Sequence, residues 1–142
     1  MLKPVNRKPY ADRRAVPLDP ASPPTIAQGN VLDTDANGYA VLADGASVVG
    51  DPMWAFTKTG RLDSAAADSV SVLEAPFVAL VDTDGYVGTP AKDDALKVGT
   101  GGNVGKLEVE ATVDSVAKLQ GIVAYCLAPP NADGFIKIKA IR

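Results

Sequence analysis

The chain contains no histidine and a single cysteine among its 142 residues. Without histidine, Ser-His-Asp and Cys-His arrangements for nucleophilic catalysis are excluded, as is proton transfer by imidazole near neutral pH. One cysteine excludes an intrachain disulfide and a zinc site built from thiolates. Cys126 lies in the apolar run 122–127, where we predict a buried small hydrophobic side chain. The chain thus lacks the commonest catalytic apparatus, although enzymes without histidine exist, and we predict no catalytic residue.

Long apolar runs and dense basic charge are also missing. No run approaches the ~18 apolar residues of a membrane helix, and the basic N-terminal residues are not followed by the apolar segment of a secretory signal. We therefore expect a soluble protein made in the cytoplasm. The balance of 14 basic and 17 acidic residues argues against nucleic acid as the main partner, because phosphate contacts need a dense basic face. We expect neither a membrane nor a nucleic acid as partner.

Proline and basic residues are concentrated at the start of the chain. Residues 1–24 hold six of the 11 prolines, and their five basic groups stand against two acidic ones. Because residues before proline favour extended conformations, we predict an extended, helix-free arm over 1–24. The remaining residues, 25–142, carry an excess of acidic groups. A basic arm on an acidic body indicates a tether that lies on another molecule, most simply another subunit.

We assign partner binding to side chains of the arm and to the one tryptophan. The arm residues are Lys3, Arg7, Lys8, Tyr10, Arg13 and Arg14, whose basic members would meet acidic patches on a neighbour. Trp54 lies in the segment 52–56, which concentrates the largest apolar side chains. A core position is the interpretation we favour for Trp54, and an interface anchor is the alternative.

From residue 25 onward short apolar runs alternate with turn residues, as in all-β domains. Asn-Gly and Asp-Gly pairs mark the turns, because these residues tolerate positive φ. The predicted strands are 28–32, 39–43, 47–49, 53–58, 69–73, 77–82, 96–99, 106–113, 121–127 and 135–141. One short helical turn is predicted at 114–119, capped by Asp114 or Ser115. This pattern predicts one small β-barrel or sandwich of antiparallel strands over residues 25–142.

Two predicted strands alternate apolar and charged residues. In the last strand Lys137 and Lys139 share the solvent face, and in the strand 106–113 Glu108 and Glu110 do so. A wetted sheet face is the ordinary reason for such alternation. Glu and Lys on these faces can pair across strands.

Residues 33–38 match the start of a calcium loop. Asp33, Asp35 and Asn37 stand at alternate positions before a glycine, and the twelfth position falls on Asp44. The flanks are predicted strands rather than helices, and Asn37-Gly38 is itself a strong hairpin signal. We favour a plain turn over a calcium site. The glycine-rich run 99–105 lacks the Lys-Ser/Thr ending of a nucleotide-binding loop and precedes a strand, so we predict no cofactor there.

Six segments of the chain carry a resemblance to a known family through their order along the sequence. They are 59–63, 70–73, 81–86, 96–99, 119–123 and 131–139. Together they resemble the small capsid decoration, or cement, proteins of tailed bacteriophages over about residues 59–142. The resemblance implies an all-β, barrel-like body without catalytic residues that binds the outside of an assembled head. It also implies the major capsid protein and further copies of the chain as partners, with trimers preferred to dimers.

We therefore expect a non-enzymatic protein of the virion exterior that stabilises contacts between major capsid subunits. One alternative is another structural protein of the particle, such as a head-fibre base, tail-tube or connector component. A second alternative is a β-barrel hydrolase or carbohydrate-binding module. A binding module would show an exposed row of aromatic side chains.

Overall fold

The structure is a computed structural model that describes residues 2–4, 13–47, 50–55 and 69–142. In these residues the chain forms two antiparallel sheets with one short α-helix and one 3₁₀ turn. The strands are β1 (Leu2–Pro4), β2 (Arg13–Pro17), β3 (Val31–Thr34), β4 (Ala40–Leu42), β5 (Met53–Ala55), β6 (Ser69–Leu73), β7 (Phe77–Val81), β8 (Ala95–Val98), β9 (Leu107–Val109), β10 (Ile122–Ala128) and β11 (Ile136–Ala140). The α-helix is α1 (Val116–Gly121), and the 3₁₀ turn is Gly101–Asn103. The all-β prediction is confirmed, and the two sheets form a sandwich rather than a closed barrel. No helix of this part of the chain has the length and apolar character needed to span a membrane.

Sheet A contains six strands in the order β1-β7-β11-β10-β8-β9. Its inner face carries the alternate apolar residues that the sequence pattern predicts. In β11, Ile136 and Ile138 have no exposed surface, whereas Lys137 is half-buried and Lys139 is exposed. Sheet A is thus buried on one face and open on the other.

Sheet B contains five strands in the order β2-β6-β5-β3-β4, and its strands β3 and β5 bury apolar residues on both faces. Val31 and Trp54 belong to the main core between the sheets, whereas their chain neighbours Leu32 and Met53 belong to a second core. Since successive strand residues point to opposite faces, the second core lies on the side of sheet B away from sheet A. Burial on both faces explains why β5 is a continuous apolar run.

The second core also contains residues of the proline-rich N-terminal region. Val16 of β2 is buried there, and Leu18 and Ile26, which flank the stretch 19–25, are buried with it. This stretch is therefore held at both ends by buried side chains. The chain from Arg13 to Ile26 is built into the sandwich.

The described parts of the predicted arm pair with sheets of their own chain. β2 lies along all five residues of β6 at the edge of sheet B, and β1 pairs with Ala79–Val81 of β7 at the edge of sheet A. The prediction of extended, helix-free backbone agrees with these strands. These two strands cover backbone groups at the edges of β6 and β7 that would otherwise be unpaired, and contact of the region with another subunit stays a prediction. Arg7, Lys8 and Tyr10 lie outside the described residues.

At the opposite side of the sandwich, main-chain hydrogen bonds join the two sheets. Val31 N–H donates to Gly105 O at 2.7 Å, Gly105 N–H donates to Ala43 O at 2.7 Å, and Gly45 N–H donates to Gly99 O at 3.0 Å. Strands β4 and β9, the other two edge strands, lie beside these bonds. One side of the sandwich is thus closed by backbone pairing between the sheets, and the other is covered by β1 and β2.

Most predicted strands exist with ends shifted by one to three residues. The strand 69–73 matches β6, whereas the predicted strand 106–113 ends at Val109 because the chain then turns toward α1. Of the predicted strands 47–49 and 53–58, residues 48, 49 and 56–58 lie outside the described residues, and Ser47 lies in a turn. Helix α1 starts after Ser115, whose hydroxyl accepts a hydrogen bond from Lys118 N–H at 3.2 Å. This confirms Ser115 as one of the two predicted caps.

Candidate binding surface

Trp54 lies inside the main core with no exposed surface. Its ring packs edge to face against Phe77, and its indole N–H donates a hydrogen bond to Arg142 O at 2.9 Å. The polar atom of the indole is thus satisfied inside the protein. The favoured interpretation of Trp54 as a core residue is confirmed. Its assignment to partner binding is corrected, because a fully buried ring offers a partner no contact area.

The basic residues of the described arm lie along the edges of the two sheets. The strand register places Lys3 opposite Leu80, Arg13 opposite Leu73 and Arg14 opposite Val72. Their role in partner binding remains a prediction, as does that of Arg7, Lys8 and Tyr10.

The calcium-like segment forms the turn of the β3–β4 hairpin. Asp35 Oδ1 accepts hydrogen bonds from the N–H groups of Asn37 at 2.8 Å and Tyr39 at 3.0 Å. Asp33 and Asp44 likewise accept from main-chain N–H groups of residues close in sequence. In the described part of the chain, no group of three or more His, Cys, Asp or Glu side chains is placed to hold a metal ion. These carboxylates order local turns, as expected of Asp in such positions.

Cys126 is completely buried in the main core, which confirms the predicted small hydrophobic side chain. Burial raises the pKa of its thiol, and the nearby carboxylates of Asp94 and Asp93 raise it further. Its Sγ lies 3.2 Å from the carbonyl oxygen of Ala128, to which it donates a hydrogen bond. A buried thiol that stays protonated is a poor nucleophile.

The open face of sheet A is centred on β10 and β11. Lys139 stands opposite Tyr125 on one side and Val78 on the other, and Lys137 stands opposite Leu80. Directly opposed residues of antiparallel strands lie on the same face. This face therefore combines Lys137 and Lys139 with half-buried or exposed apolar side chains.

Helix α1 lies on the same side of sheet A. Strands β9 and β10 are both antiparallel to β8, so the chain between them has to return across β8. The inner side of β8 is filled by core residues, which leaves the outer side for this connection. The structure agrees, because Lys97 of β8 shares a cleft of ≈ 330 Å³ with Glu110 and with Ala117 and Lys118 of α1.

Ion pairs hold this connection in place. Lys97 Nζ lies 3.0 Å from Glu110 Oε2 and 3.9 Å from Glu108 Oε1, and Lys118 Nζ lies 3.0 Å from Asp114 Oδ1. The Asp114 carboxylate raises the pKa of Lys118, with a smaller contribution from Glu110. The two glutamates thus pair across strands with Lys97, which belongs to β8 rather than to β11.

The large apolar side chains that the described residues expose all lie on this side of sheet A. Val116 and Leu119 are 70% and 56% exposed and share one face of α1, since they are three residues apart. Val113 lies three residues before Val116, in the segment that leads into the helix. Tyr125 and Ile141 are exposed on β10 and just beyond β11, where Ile141 N–H donates to Val123 O.

We call these residues the outer surface and define it as Val113, Val116, Leu119, Tyr125, Lys137, Lys139 and Ile141. Sequence reasoning missed its apolar part. The signal was present, because Val113, Val116 and Leu119 recur at every third position. The pattern alone did not show whether this stripe is buried. Large exposed apolar patches are typical of interaction sites, so we treat the outer surface as the candidate binding surface.

Comparison of the chain with protein-family models, with curated proteins and with solved structures finds no match.

Proposed function

We propose that this chain is a non-enzymatic capsid decoration protein of a tailed bacteriophage. It binds the outside of the assembled head through the outer surface and stabilises contacts between major capsid subunits. The observation that carries the proposal is the gathering of exposed apolar side chains and two lysines on one side of a sandwich. The resemblance of the ordered segments in residues 59–142 supports the head as the partner.

The apolar part of the outer surface suits a protein partner. Val116 and Leu119 together expose most of one helix face, and full burial of such a side chain contributes roughly 1.5–3 kcal/mol. Many copies bound to neighbouring capsid subunits would add their contacts, because each further attachment becomes intramolecular. A clamp of this kind needs adhesion and rigidity, and it needs no chemistry.

A carbohydrate-binding module requires a different surface. Of the large apolar residues that the described part of the chain exposes, Tyr125 is the one aromatic. Sugar rings stack on rows of aromatic side chains, and one tyrosine among aliphatic residues does not form such a row. This favours a protein partner over a sugar.

The proposal is tested by adding the purified chain to particles assembled from a phage genome that lacks its gene. We expect electron microscopy with gold-labelled antibody to place the chain on the head exterior in many copies. Particles that bind no chain would refute the proposal. Label along the tail, or at the head–tail junction alone, would refute it in favour of a tail-tube or connector protein.

The role of the outer surface is tested with two charge insertions. Val116→Asp/Leu119→Asp introduces two carboxylates on its apolar part, and Thr89→Asp/Thr100→Asp introduces two at exposed positions elsewhere. We expect the first variant to lose head binding and the second to retain it, with both melting near the wild-type temperature. Equal binding by the two variants would place the contact on another surface.

A further inference from the structure

We infer that the outer surface recognises an acidic protein surface through Lys137 and Lys139. This inference rests on the proposed function, since it concerns the same surface. It adds the chemistry of the partner, which the proposed function leaves open.

The two lysines form a paired basic feature at the centre of the open face. They are two residues apart on β11, which places their side chains on the same face about 7 Å apart. Lys139 is flanked by Tyr125 and Val78, and Lys137 is next to Leu80. Each cation is thus set among apolar groups rather than among carboxylates of its own sheet.

Two further lysines on this side of the molecule, on β8 and α1, already have partners. Lys97 pairs with Glu110 and Glu108, and Lys118 pairs with Asp114. Within the described residues Lys137 and Lys139 take part in no ion pair. The outer surface therefore has a local excess of positive charge on a chain whose net charge is −3.

A carboxylate-bearing surface complements this arrangement. Opposite charges across an interface steer association and set its register. A partner whose carboxylates meet Lys137 and Lys139 would at the same time cover Tyr125 and Ile141 with its own apolar groups. Such a combination of a buried apolar centre with charged contacts beside it is typical of protein interfaces.

Nucleic acid fits this surface less well. Phosphate backbones need a series of cations along a groove, whereas Lys137 and Lys139 stand beside exposed valine, leucine and isoleucine side chains. The acidic partner is therefore assigned as a protein.

The assignment is tested with an acidic polypeptide as probe. The probe is a random copolymer of glutamate and tyrosine, titrated into the full chain while amide signals are followed by NMR. We expect shifts in β10, β11 and α1, and weaker binding at higher salt because screening reduces the ionic contacts. No shifts, or shifts confined to other elements, would overturn the inference.

Charge reversal supplies the matched control. Lys137→Glu/Lys139→Glu is expected to weaken binding of the copolymer at least about tenfold, which corresponds to 1.4 kcal/mol. Lys92→Glu/Lys106→Glu changes the net charge equally and should bind like the wild type. Equal weakening in both variants would overturn the inference, as would tighter binding of a DNA duplex than of the copolymer. If the wild type forms oligomers and Lys137→Glu/Lys139→Glu is monomeric, the lysines serve self-association, and the inference of an acidic partner protein is overturned.

The two proposals fail separately. Heads from the phage that lacks the gene distinguish them. If Lys137→Glu/Lys139→Glu binds these heads as tightly as the wild type does, the inference is wrong and the decoration function stands. If the wild type binds no heads but loses copolymer binding on charge reversal, the decoration function is wrong and the acidic-protein preference stands.

Discussion

The ring of Trp54 meets the ring of Phe77 edge to face, with centroids 5.5 Å apart and ring planes at 87°. Trp54 belongs to β5 of sheet B and Phe77 to β7 of sheet A, so this contact joins the two sheets across the main core. The indole N–H donates to Arg142 O at 2.9 Å, which fastens the end of the described chain to the same place. Aromatic pairs of this geometry add stabilisation beyond the area they bury.

We expect Trp54→Ala to lower the free energy of unfolding by about 3–5 kcal/mol, the usual range for removal of a large aromatic from a core. Trp54→Phe keeps much of the apolar volume but removes the donor to Arg142 O, so its cost should be smaller. Urea unfolding followed by circular dichroism measures both. Leu119→Ala is the control, since Leu119 is 56% exposed and its truncation should change stability by less than about 0.5 kcal/mol. A tryptophan variant no less stable than this control would contradict the described core.

Gly45 is held where the two sheets are joined by main-chain bonds. Its N–H donates to Gly99 O, and a Cβ at this position would collide with the carbonyl oxygen of Val98. Because a backbone oxygen cannot rotate away, we expect Gly45→Ala to cost about 1–3 kcal/mol. At Gly102, by contrast, an added Cβ meets open space. Gly102→Ala should leave the melting temperature nearly unchanged, and a similar loss in both variants would rule out the close approach at Gly45.

Val16 provides a test of whether the N-terminal region belongs to the body. It is 4% exposed in the second core, opposite Val70 of β6. We expect Val16→Ala to lower the free energy of unfolding by about 2 kcal/mol, because it leaves a cavity in a packed site. Ala15→Ser, one residue earlier on the exposed face of β2, should have little effect. Full stability of Val16→Ala would show that β2 is dispensable to the fold.

The buried positions of Val16 and Leu18 determine how the arm can be tested. Deletion of residues 1–24 removes Val16 and Leu18 from the second core and leaves the edges of β6 and β7 uncovered. We expect such a truncation to lose stability and to aggregate, as exposed sheet edges do. Light scattering of the truncated chain would detect this. Arm function is better tested by point substitution of basic residues than by truncation.

Cys126 should be unreactive in the folded protein. Burial raises the pKa of its thiol, so the thiolate fraction at a given pH is smaller than for a free cysteine. We expect a disulfide reagent at pH 8 to modify Cys126 slowly in the native state and rapidly in denaturant. In Val116→Cys the new thiol lies on exposed α1 and should react at once, which provides the control. Fast native labelling of the wild type would contradict the buried position.

The Asp114–Lys118 pair should give α1 a measurable pH dependence. The side-chain contact with Lys118 lowers the pKa of Asp114 in the folded chain. A carboxyl whose pKa is lower when folded stabilises the fold above its unfolded pKa, and this contribution is lost as the pH falls through the folded value. We therefore expect the stability difference between wild type and Asp114→Asn to shrink on acidification. A difference independent of pH would mean that the pair contributes nothing.

Local patterns predicted those elements whose faces differ in polarity. In β11 the alternation of Ile136 and Ile138 with Lys137 identified both the strand and its buried face. The predicted cap, Asp114 or Ser115, placed the start of α1 to within two residues because an N-cap is a local interaction. In β5, which is buried on both faces, Met53 and Trp54 look alike in the sequence although they enter different cores.

The long-range contacts could not be predicted from local patterns. Proline-rich composition near β2 indicates extended backbone, but it does not specify which strand the extended backbone will pair with. Val16 meets Val70 at a separation of 54 residues, and no spacing rule connects them. The apolar stripe of α1 has the same limitation, because periodicity shows that one helix face is apolar and does not show whether another element covers it.

By itself, the sequence determined that this protein is built from short β-strands, that it has no histidine, and that the N-terminal segments 2–4 and 13–17 are extended. These properties follow from residue type and from spacing along a few neighbouring positions. Only the tertiary structure decided that the N-terminal strands cover the edges of the chain's own sheets, that Trp54 is buried, and that Lys137, Lys139 and the face of α1 lie on one side. The physical reason is that burial and exposure depend on which distant segments meet, and those meetings are selected by the packing of the whole chain.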